Sequence, residues 1–304
     1  MVIRQRSLMD IRIGTMVKAN APNVTDYVKQ ILPLGFESIQ PFFWQTIGNV
    51  DVVRLAGELH EAISTKDVVI SALAMFGNPL ENGELDQQTL HGWEVLIDNA
   101  HLFGTDLITG FTGRARGKPL VESLPRFKEV WVRLAKRAQE KGVRIAFENC
   151  AMDGNWASGD WNIAHNPDAW EMMFNEVPAA NLGLEWEPCH QLVYLIDPIP
   201  QIRKWANRIF HVHGKDATVR WDVIRENGIF GKHDFVQMRT PGFGDSDWSR
   251  VISELRLAGF KGAIDIEGWH DPVYRDALEM TGQVRALNHL KECRGGANSI
   301  ANPV

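Results

Sequence analysis

Short apolar segments recur along the chain and alternate with longer helical patterns, and this repetition limits the fold more than any other feature. Eight segments of four to eight residues have the Val-, Ile- and Phe-rich composition of buried parallel strands. They begin near Ile11, Phe36, Val68, Asp106, Val143, Leu182, Arg208 and Ala263. Amphipathic helical patterns follow most of them, the clearest from Leu124 to Lys141. The pattern predicts an α/β protein of eight strand–helix units.

Eight such units in 304 residues match the (β/α)₈, or TIM, barrel, which takes about 250 residues plus insertions. A doubly wound sheet is the alternative, but no GxGxxG motif follows the first segment. The starts of the seventh and eighth segments are 55 residues apart, which predicts an inserted flap after the seventh strand, at about residues 218–244. We therefore expect a single TIM-barrel domain over residues 1–304.

Composition excludes several classes of function. The net charge is −6 and no long basic run occurs, so nucleic-acid binding is not expected. No stretch approaches the roughly 20 apolar residues that span a bilayer, so no membrane segment is expected. The N-terminal sequence MVIRQRSLMDIRIG lacks the apolar region of a secretory signal, and the three cysteines form no CxxC motif. These features together predict a cytoplasmic protein.

Polar residues stand at the ends of four neighbouring predicted strands. Glu148 ends the fifth, Glu187 the sixth (with His190 just beyond), His213 the seventh and Glu267 the eighth. Function collects at the carboxyl ends of barrel strands, so these side chains are expected to converge. A lone Glu at a strand end is usually solvated, but three converging carboxylates would repel one another without a cation. Oxygen and nitrogen donors suit Mn²⁺, Mg²⁺, Co²⁺ or Zn²⁺, and we predict a divalent-metal site.

Residues near this rim are candidates for contacting a substrate. Lys215 follows the seventh strand and either anchors a substrate oxygen or pairs with Asp216 or another rim carboxylate. Trp44 and Trp269 lie at or beyond strand ends, where indole faces suit a hydroxylated or aromatic ligand; alternatively, they form small loop cores. His165 is a loop histidine, expected either to contact substrate or to make ordinary hydrogen bonds.

Several motifs resemble the sugar phosphate isomerase/epimerase superfamily, which has a xylose isomerase-like barrel: FENC, GLEWEPCHQL, HVHGKD, PGFGDSDW and IDIEGWH. The resemblance covers nearly the whole chain. It implies that a metal is held by Glu148, Glu187, His213 and Glu267. Glu187 stands where the family generally has the Asp of a DPxH run, and His190 matches the histidine of that run.

Within the superfamily, the sequence is most similar to the catalytic α-subunits of bacterial C-glycoside deglycosidases, on WEPCH, HGKDATVRWDV and IEGWHDPVYRDALEMTGQ. This likeness implies Mn²⁺ as cofactor, 3-oxo-glycosides as substrates and a small β-subunit as partner. Oligomers are common among such barrels, so self-association is also expected by analogy.

The chemistry implied begins with removal of a proton next to a carbonyl. Glu148 and Glu267 are the expected base and acid, with His190 as the alternative base. A 3-oxo-glycoside β-eliminating lyase and a sugar isomerase or epimerase, of the ketose 3-epimerase or inosose type, share this step and stay open. A metal-dependent nuclease is disfavoured by the net charge, and a non-catalytic sugar-binding subunit is the remote alternative.

Overall fold

Parallel strands and helices alternate along the chain in the structure, a computed structural model that describes residues 11–229 and 231–296. The strands are β1 (Arg12–Lys18), β2 (Ser38–Trp44), β3 (Val69–Ile70), β4 (Leu73–Phe76), β5 (Leu107–Gly110), β6 (Arg144–Glu148), β7 (Leu182–Trp186), β8 (Ile209–Gly214), β9 (Asp216–Val219), β10 (Val236–Arg239) and β11 (Ala263–Ile266). The helices are α1 (Val24–Ile31), α2 (Val52–Ile63), α3 (Glu84–Asn99), α4 (Leu124–Glu140), α5 (Pro167–Glu176), α6 (Pro188–Val193), α7 (Pro198–Trp205), α8 (Trp221–Asn227), α9 (Trp248–Leu257) and α10 (Glu279–Arg294).

The parallel strands close into a barrel. Their hydrogen-bonded order is β1-β11-β8-β7-β6-β5-β4-β2-β3, and pairing of β1 with β2 closes the ring. The third barrel position is shared by β3 and β4, two short pieces that both pair with β2. Within the described residues, the predicted segments all form barrel strands that begin within two residues of their predicted starts. The TIM-barrel prediction is confirmed, whereas a single domain over residues 1–304 stays a prediction because the chain ends lie outside the described residues.

Side chains alternate between the inside and the outside of the barrel, as β2 shows. Ile39 and Phe43 are fully buried in the apolar layer between strands and helices. Gln40, between them, points inward and reaches Glu185 of β7 across the barrel. Phe42 points inward at a higher level, near the carboxyl ends of the strands. This alternation follows from the period of two residues in a strand, and in β2 it places Gln40 and Phe42 inside the barrel and Ile39 and Phe43 outside it.

The outer layer is held together by aromatic packing. Trp131 of α4 packs edge-on against Trp93 of α3, with ring centroids 5.0 Å apart, and against Phe147 of β6 at 4.5 Å. All three side chains are fully buried, and the Trp131 indole N–H donates to the Thr112 carbonyl at 2.9 Å. Burying side chains of this size contributes about 1.5–3 kcal/mol each. This packing anchors helices α3 and α4 to the barrel.

The chain departs from the strand–helix pattern between β8 and α9. Strands β9 and β10 pair antiparallel, with α8 between them in sequence. The predicted insertion at residues 218–244 falls on this segment, although the departure begins at Asp216, two residues before the predicted start. The buried Asp216 carboxylate accepts hydrogen bonds from the Ser246 N–H and the Trp248 indole, both at 3.1 Å. These two hydrogen bonds connect the start of β9 to the start of α9.

A charged contact joins the first and last parts of the barrel at the amino-terminal ends of the strands. The Glu37 carboxylate, just before β2, accepts from the Arg294 guanidinium at 2.5 and 3.0 Å and from the Ile13 N–H at 2.9 Å. Arg294 is buried and also donates to the Ile11 carbonyl at 2.7 Å. Burial alone would raise the pKa of Glu37, but Arg294 and Ile13 outweigh it and lower that pKa.

Among the described residues, no helix combines the length and the apolar character needed to cross a bilayer.

Replacing Glu37 with Gln is expected to lower the free energy of unfolding by about 2–3 kcal/mol near neutral pH, because hydrogen bonds to charged groups are lost. The pKa of Glu37 is lower in the folded state than its unfolded value of about 4.3. The stabilisation is therefore complete above the unfolded value, and it is lost as the pH falls through the folded-state pKa. Urea unfolding at pH 7 and pH 3 measures both effects. The two proteins should converge in stability at the lower pH, and Glu61→Gln, at an exposed position, should have little effect at either. Equal stability of Glu37→Gln and wild type at pH 7 would contradict the role of this contact.

Candidate metal centre

Four ionisable side chains meet at the carboxyl ends of adjacent strands. Glu148 ends β6, Glu187 directly follows β7, His213 lies in β8 and Glu267 directly follows β11. One donor atom from each lies within 4.8 Å of the others, and all four side chains are buried. The structure therefore brings together the residues that the sequence predicted as a metal site; we call them the metal cluster.

Asparagines of the loops fix the backbone beneath two cluster residues. Asn149 donates to the Glu187 carbonyl at 3.0 Å and accepts from the Glu187 N–H at 2.7 Å. Asn162 donates to the carbonyls of Glu148, at 2.8 Å, and Cys150, at 2.7 Å. The side-chain amides of Asn149, in the FENC motif, and of Asn162 therefore fix the backbone positions from which the Glu148 and Glu187 carboxylates extend.

The donor atoms of the cluster are only partly satisfied by protein groups. Both carboxylate oxygens of Glu187 and Oε2 of Glu267 are buried, with no hydrogen bond of good geometry from the described residues. His213 Nδ1 lies 2.9 Å from Glu148 Oε1 and 3.5 Å from Glu267 Oε2. Buried carboxylate oxygens are costly without a partner. The oxygens and the imidazole nitrogen that converge here fit a divalent cation.

Two carboxylates of the cluster have pKa values shifted in opposite directions. Burial raises the pKa of Glu148 to about 8, the neighbouring charges of Glu267 and Glu187 add to this, and His213 partly opposes it. Burial also acts to raise the pKa of Glu267, but the Lys215 ammonium and the neighbouring His213 and His270 outweigh it and hold that pKa well below its usual range. Without a cation, Glu148 is mostly protonated and Glu267 ionised at neutral pH.

Lys215 and His190 border the cluster. Lys215 Nζ lies 2.9 Å from Glu267 Oε1 and 3.5 Å from His190 Nε2. His190 Nε2 also lies 2.8 Å from Glu187 Oε1. Burial disfavours the charged amine, yet Glu187 and Glu267 raise the pKa of Lys215 well above its usual range. Lys215 thus pairs with a rim carboxylate, which is Glu267 and not Asp216.

The cluster opens into a cavity of about 870 Å³. Its polar side includes Glu148, Glu267, His190 and Lys215. The opposite side is apolar, mainly aromatic, and is formed by Met16, Phe42, Trp44, Phe76, Phe111 and Trp269. We call this set the aromatic wall. A cavity of this size and character is typical of a site that encloses a small organic ligand.

The predicted substrate contacts fall in two groups. Trp44 and Trp269 line the cavity, where they could contact a ligand. Trp269 has a φ of 56°, which is unusual for a large side chain. His165 is fully buried and is not among the described residues that line the cavity. It stacks behind Tyr194, a lining residue, with ring centroids 5.4 Å apart. The structure therefore does not support direct contact between His165 and a ligand.

Sequence analysis missed a polar layer beneath the cluster, formed by Gln40, Glu185 and Asp265, all fully buried. Glu185 and Asp265 stand two positions before Glu187 and Glu267 on the same strands. Side chains two residues apart lie on the same face of a strand, so this spacing could have predicted the polar layer. His211 lies at the same level of the barrel, on β8, and is also buried.

Comparison with known proteins identifies the family of TIM barrels to which the chain is similar. The model of the xylose isomerase-like TIM-barrel family matches residues 28–293. An uncharacterized protein of Bacillus subtilis (strain 168) is 24% identical over 242 residues, which cover 69% of this chain and 74% of the relative. The inosose dehydratase of Clostridium tetani (strain Massachusetts / E88) is 26% identical over 188 residues, 57% of this chain and 58% of the length of that enzyme.

Solved structures show the same architecture. A xylose isomerase domain protein from Planctomyces limnophilus superposes with a TM-score of 0.68 at 16% identity, over 93% of this chain and 97% of that one. The 3-keto-D-glucoside 4-epimerase of E. coli gives a TM-score of 0.68 at 14% identity, over 93% of this chain and 100% of that one. With a family model that matches most of its length, the chain belongs to the xylose isomerase-like TIM-barrel family.

Proposed function

We propose that this protein is a divalent-metal-dependent enzyme that removes a proton next to the carbonyl of a keto-sugar. The proposed substrate is a 3-oxo-glycoside, and the proposed outcome is β-elimination of the group at the anomeric carbon. The observation that carries this proposal is the buried metal cluster, which opens into a cavity with an aromatic wall on the opposite side.

The proposed ligands are Glu148, Glu187, His213 and Glu267, since their buried donor atoms converge. Mn²⁺ is our first choice, and Mg²⁺, Co²⁺ and Zn²⁺ are compatible with the same oxygen and nitrogen donors. A bound divalent cation polarises a carbonyl group and stabilises the negative charge that develops on its oxygen.

The side chains at the cavity supply proton transfer. A base takes the proton from the carbon next to the carbonyl, and the electron pair moves toward the carbonyl oxygen. In elimination, the bond at the β-position then breaks, and the leaving group receives a proton. Glu148 and Glu267, which both line the cavity, are the proposed base and acid. His190, whose Nε2 faces the cluster, is the alternative base.

The shape and charge of the cavity support a glycoside with an apolar group. Its volume of about 870 Å³ is in the range that encloses a ligand larger than one sugar ring. Among the described lining residues the lysines are Lys18 and Lys215, and Lys215 is already paired with Glu267. A phosphate group would find little free positive charge here. The aromatic wall instead favours an uncharged, planar aglycone.

A sugar isomerase, epimerase or dehydratase is the second candidate, because relatives carry these names. Inosose dehydratase and 3-keto-D-glucoside 4-epimerase are proteins to which this chain is similar. An epimerase would return the proton to the opposite face of the same carbon, without breaking the bond to the aglycone. We also propose a small β-subunit as partner, which the C-glycoside deglycosidase resemblance implies, and self-association, by analogy with other barrels of this kind.

Removal of the metal should abolish the reaction. Purified protein incubated with an aryl 3-oxo-glucoside and Mn²⁺ in D₂O is expected to release the aglycone, and EDTA should stop the release. Mass spectrometry and NMR of sugar and aglycone follow both events. Deuterium uptake next to the carbonyl without release would favour the epimerase. Absence of both bound metal and exchange would leave a non-catalytic sugar-binding protein and contradict the proposal.

Glu267→Gln is expected to lower kcat by about 10²–10⁴-fold, because a proton-transfer group and a ligand are lost together. Glu122→Gln is the matched control, since it makes the same change at an exposed carboxylate that is not among the described residues lining the cavity. The control should retain kcat. Comparable kcat values for Glu267→Gln and wild type, with circular dichroism unchanged, would rule out the assigned role.

Trp44→Ala is expected to raise KM about 10-fold for an aryl 3-oxo-glucoside, because aromatic contacts contribute about 0.5–1.5 kcal/mol beyond their buried area. The indole is 39% exposed, so folding should tolerate the change. KM for the methyl 3-oxo-glucoside, which lacks an aromatic group, is the internal control and should change little. Equal increases for the two substrates would argue against an aglycone site at the aromatic wall.

A further inference from the structure

A line of buried polar side chains, joined by hydrogen bonds and charged contacts, descends inside the barrel from the metal cluster. His213 Nε2, the ring nitrogen turned away from the cluster, lies 3.0 Å from Glu185 Oε1 and 2.9 Å from Gln40 Oε1. Glu185 Oε1 lies 3.0 Å from His211 Nδ1, and His211 Nε2 lies 2.8 Å from Asp265 Oδ2. Each of these five residues is at most 1% exposed. The line is therefore shielded from water along its whole length.

The lower end of this line is fixed by neighbouring strands. Asp265 Oδ1 accepts from the Ser38 hydroxyl at 2.5 Å, and Oδ2 accepts from the Ser71 hydroxyl. Gly14 of β1 leaves the space for this contact, since a Cβ there would lie 2.1 Å from both Asp265 Oδ1 and Ser38 Oγ. Asp265 thus has one position available, and it holds the His211 ring in turn.

A second cation in this layer is the alternative explanation, because donor atoms of Glu185, His211 and His213 also lie within 4.8 Å of one another. However, the Gln40 amide donates to Glu185 Oε1 at 2.5 Å, on the same oxygen that faces both histidines. Gln40 Nε2 is itself close to Thr109 Oγ, at 2.9 Å. An amide donor on that oxygen is consistent with a hydrogen-bonded carboxylate and unfavourable beside a cation.

We propose that Glu185, His211 and Asp265 are positioning residues that hold the His213 ring with Nδ1 toward the metal cluster. This inference rests on the proposed metal site. Histidines that bind metals generally donate their other ring N–H to a carboxylate or carbonyl, which fixes the ring orientation and strengthens the ligand. Two acceptors face His213 Nε2, namely Gln40 Oε1 at 2.9 Å and Glu185 Oε1 at 3.0 Å, and the Gln40 amide itself donates to that Glu185 oxygen. Glu185 therefore holds His213 both directly and through Gln40, and His211 contacts the same carboxylate oxygen at 3.0 Å.

The test compares Mn²⁺ binding to the full-length wild-type protein and to variants, by electron paramagnetic resonance of free Mn²⁺. Wild type should bind one ion per chain, and Glu185→Gln should weaken the affinity about 10–100-fold. Asp265→Asn, farther along the line, should weaken the affinity for Mn²⁺ by a smaller factor. If Glu185→Gln does not fold, Asp265→Asn is the variant that tests the inference. Asp86→Asn is the matched control, since Asp86 is a buried carboxylate paired with Arg116 outside the barrel. It should bind Mn²⁺ as wild type does.

A spectroscopic readout separates positioning from general loss of structure. In Zn²⁺-loaded protein with ¹⁵N-labelled histidine, the ring proton on His213 Nε2 should be protected in wild type and exchange rapidly in Glu185→Gln. Wild-type affinity and a protected ring proton in Glu185→Gln would overturn the inference. Two ions per chain, one lost in Glu185→Gln, would also overturn it, because Glu185 would then be a ligand. A wild-type protein that binds no Mn²⁺ would instead refute the proposed metal site.

Discussion

Electrostatic repulsion among buried carboxylates is the constraint on which the site depends. Two like charges 4 Å apart repel by about 4 kcal/mol at an effective dielectric constant of 20. Without a cation, the protein reduces this cost by placing Lys215 and His213 against the carboxylates and by raising the pKa of Glu148. These measures leave the oxygens of Glu187 without hydrogen bonds from the described residues. A divalent cation would supply the positive charge that this arrangement lacks.

The same constraint extends into the barrel. Its middle layer contains Gln40, Glu185, His211 and Asp265, where many barrels have Val, Ile and Leu. Hydrogen-bonded polar groups stabilise a core less than apolar packing of the same volume. The stability of this barrel therefore depends mainly on the outer layer between strands and helices. Fully buried side chains such as Trp93 and Trp131 concentrate in that layer.

Sequence patterns located the strands and the cluster because both follow local rules. Apolar runs mark buried strands, and the carboxyl ends of parallel strands must meet at one rim, so Glu148 and Glu267 could be placed without coordinates. Which side chains share a level inside the barrel depends on strand register and closure, which no short segment specifies. That is why the contact between Gln40 and Glu185, 145 positions apart, was not predicted. His165 lies in a loop without periodicity, so its orientation behind Tyr194 could not be inferred.

The cavity divides the barrel into two halves along the chain. The aromatic wall is drawn largely from β1, β2 and β4 and from the end of β5, whereas the metal cluster comes from β6, β7, β8 and β11. Substitutions in the first half can reshape the space for a ligand without disturbing the charges that activate it. The order of the strands thus separates the residues that shape the cavity from the ionisable residues of the metal cluster, so that either set can change while the other stays the same.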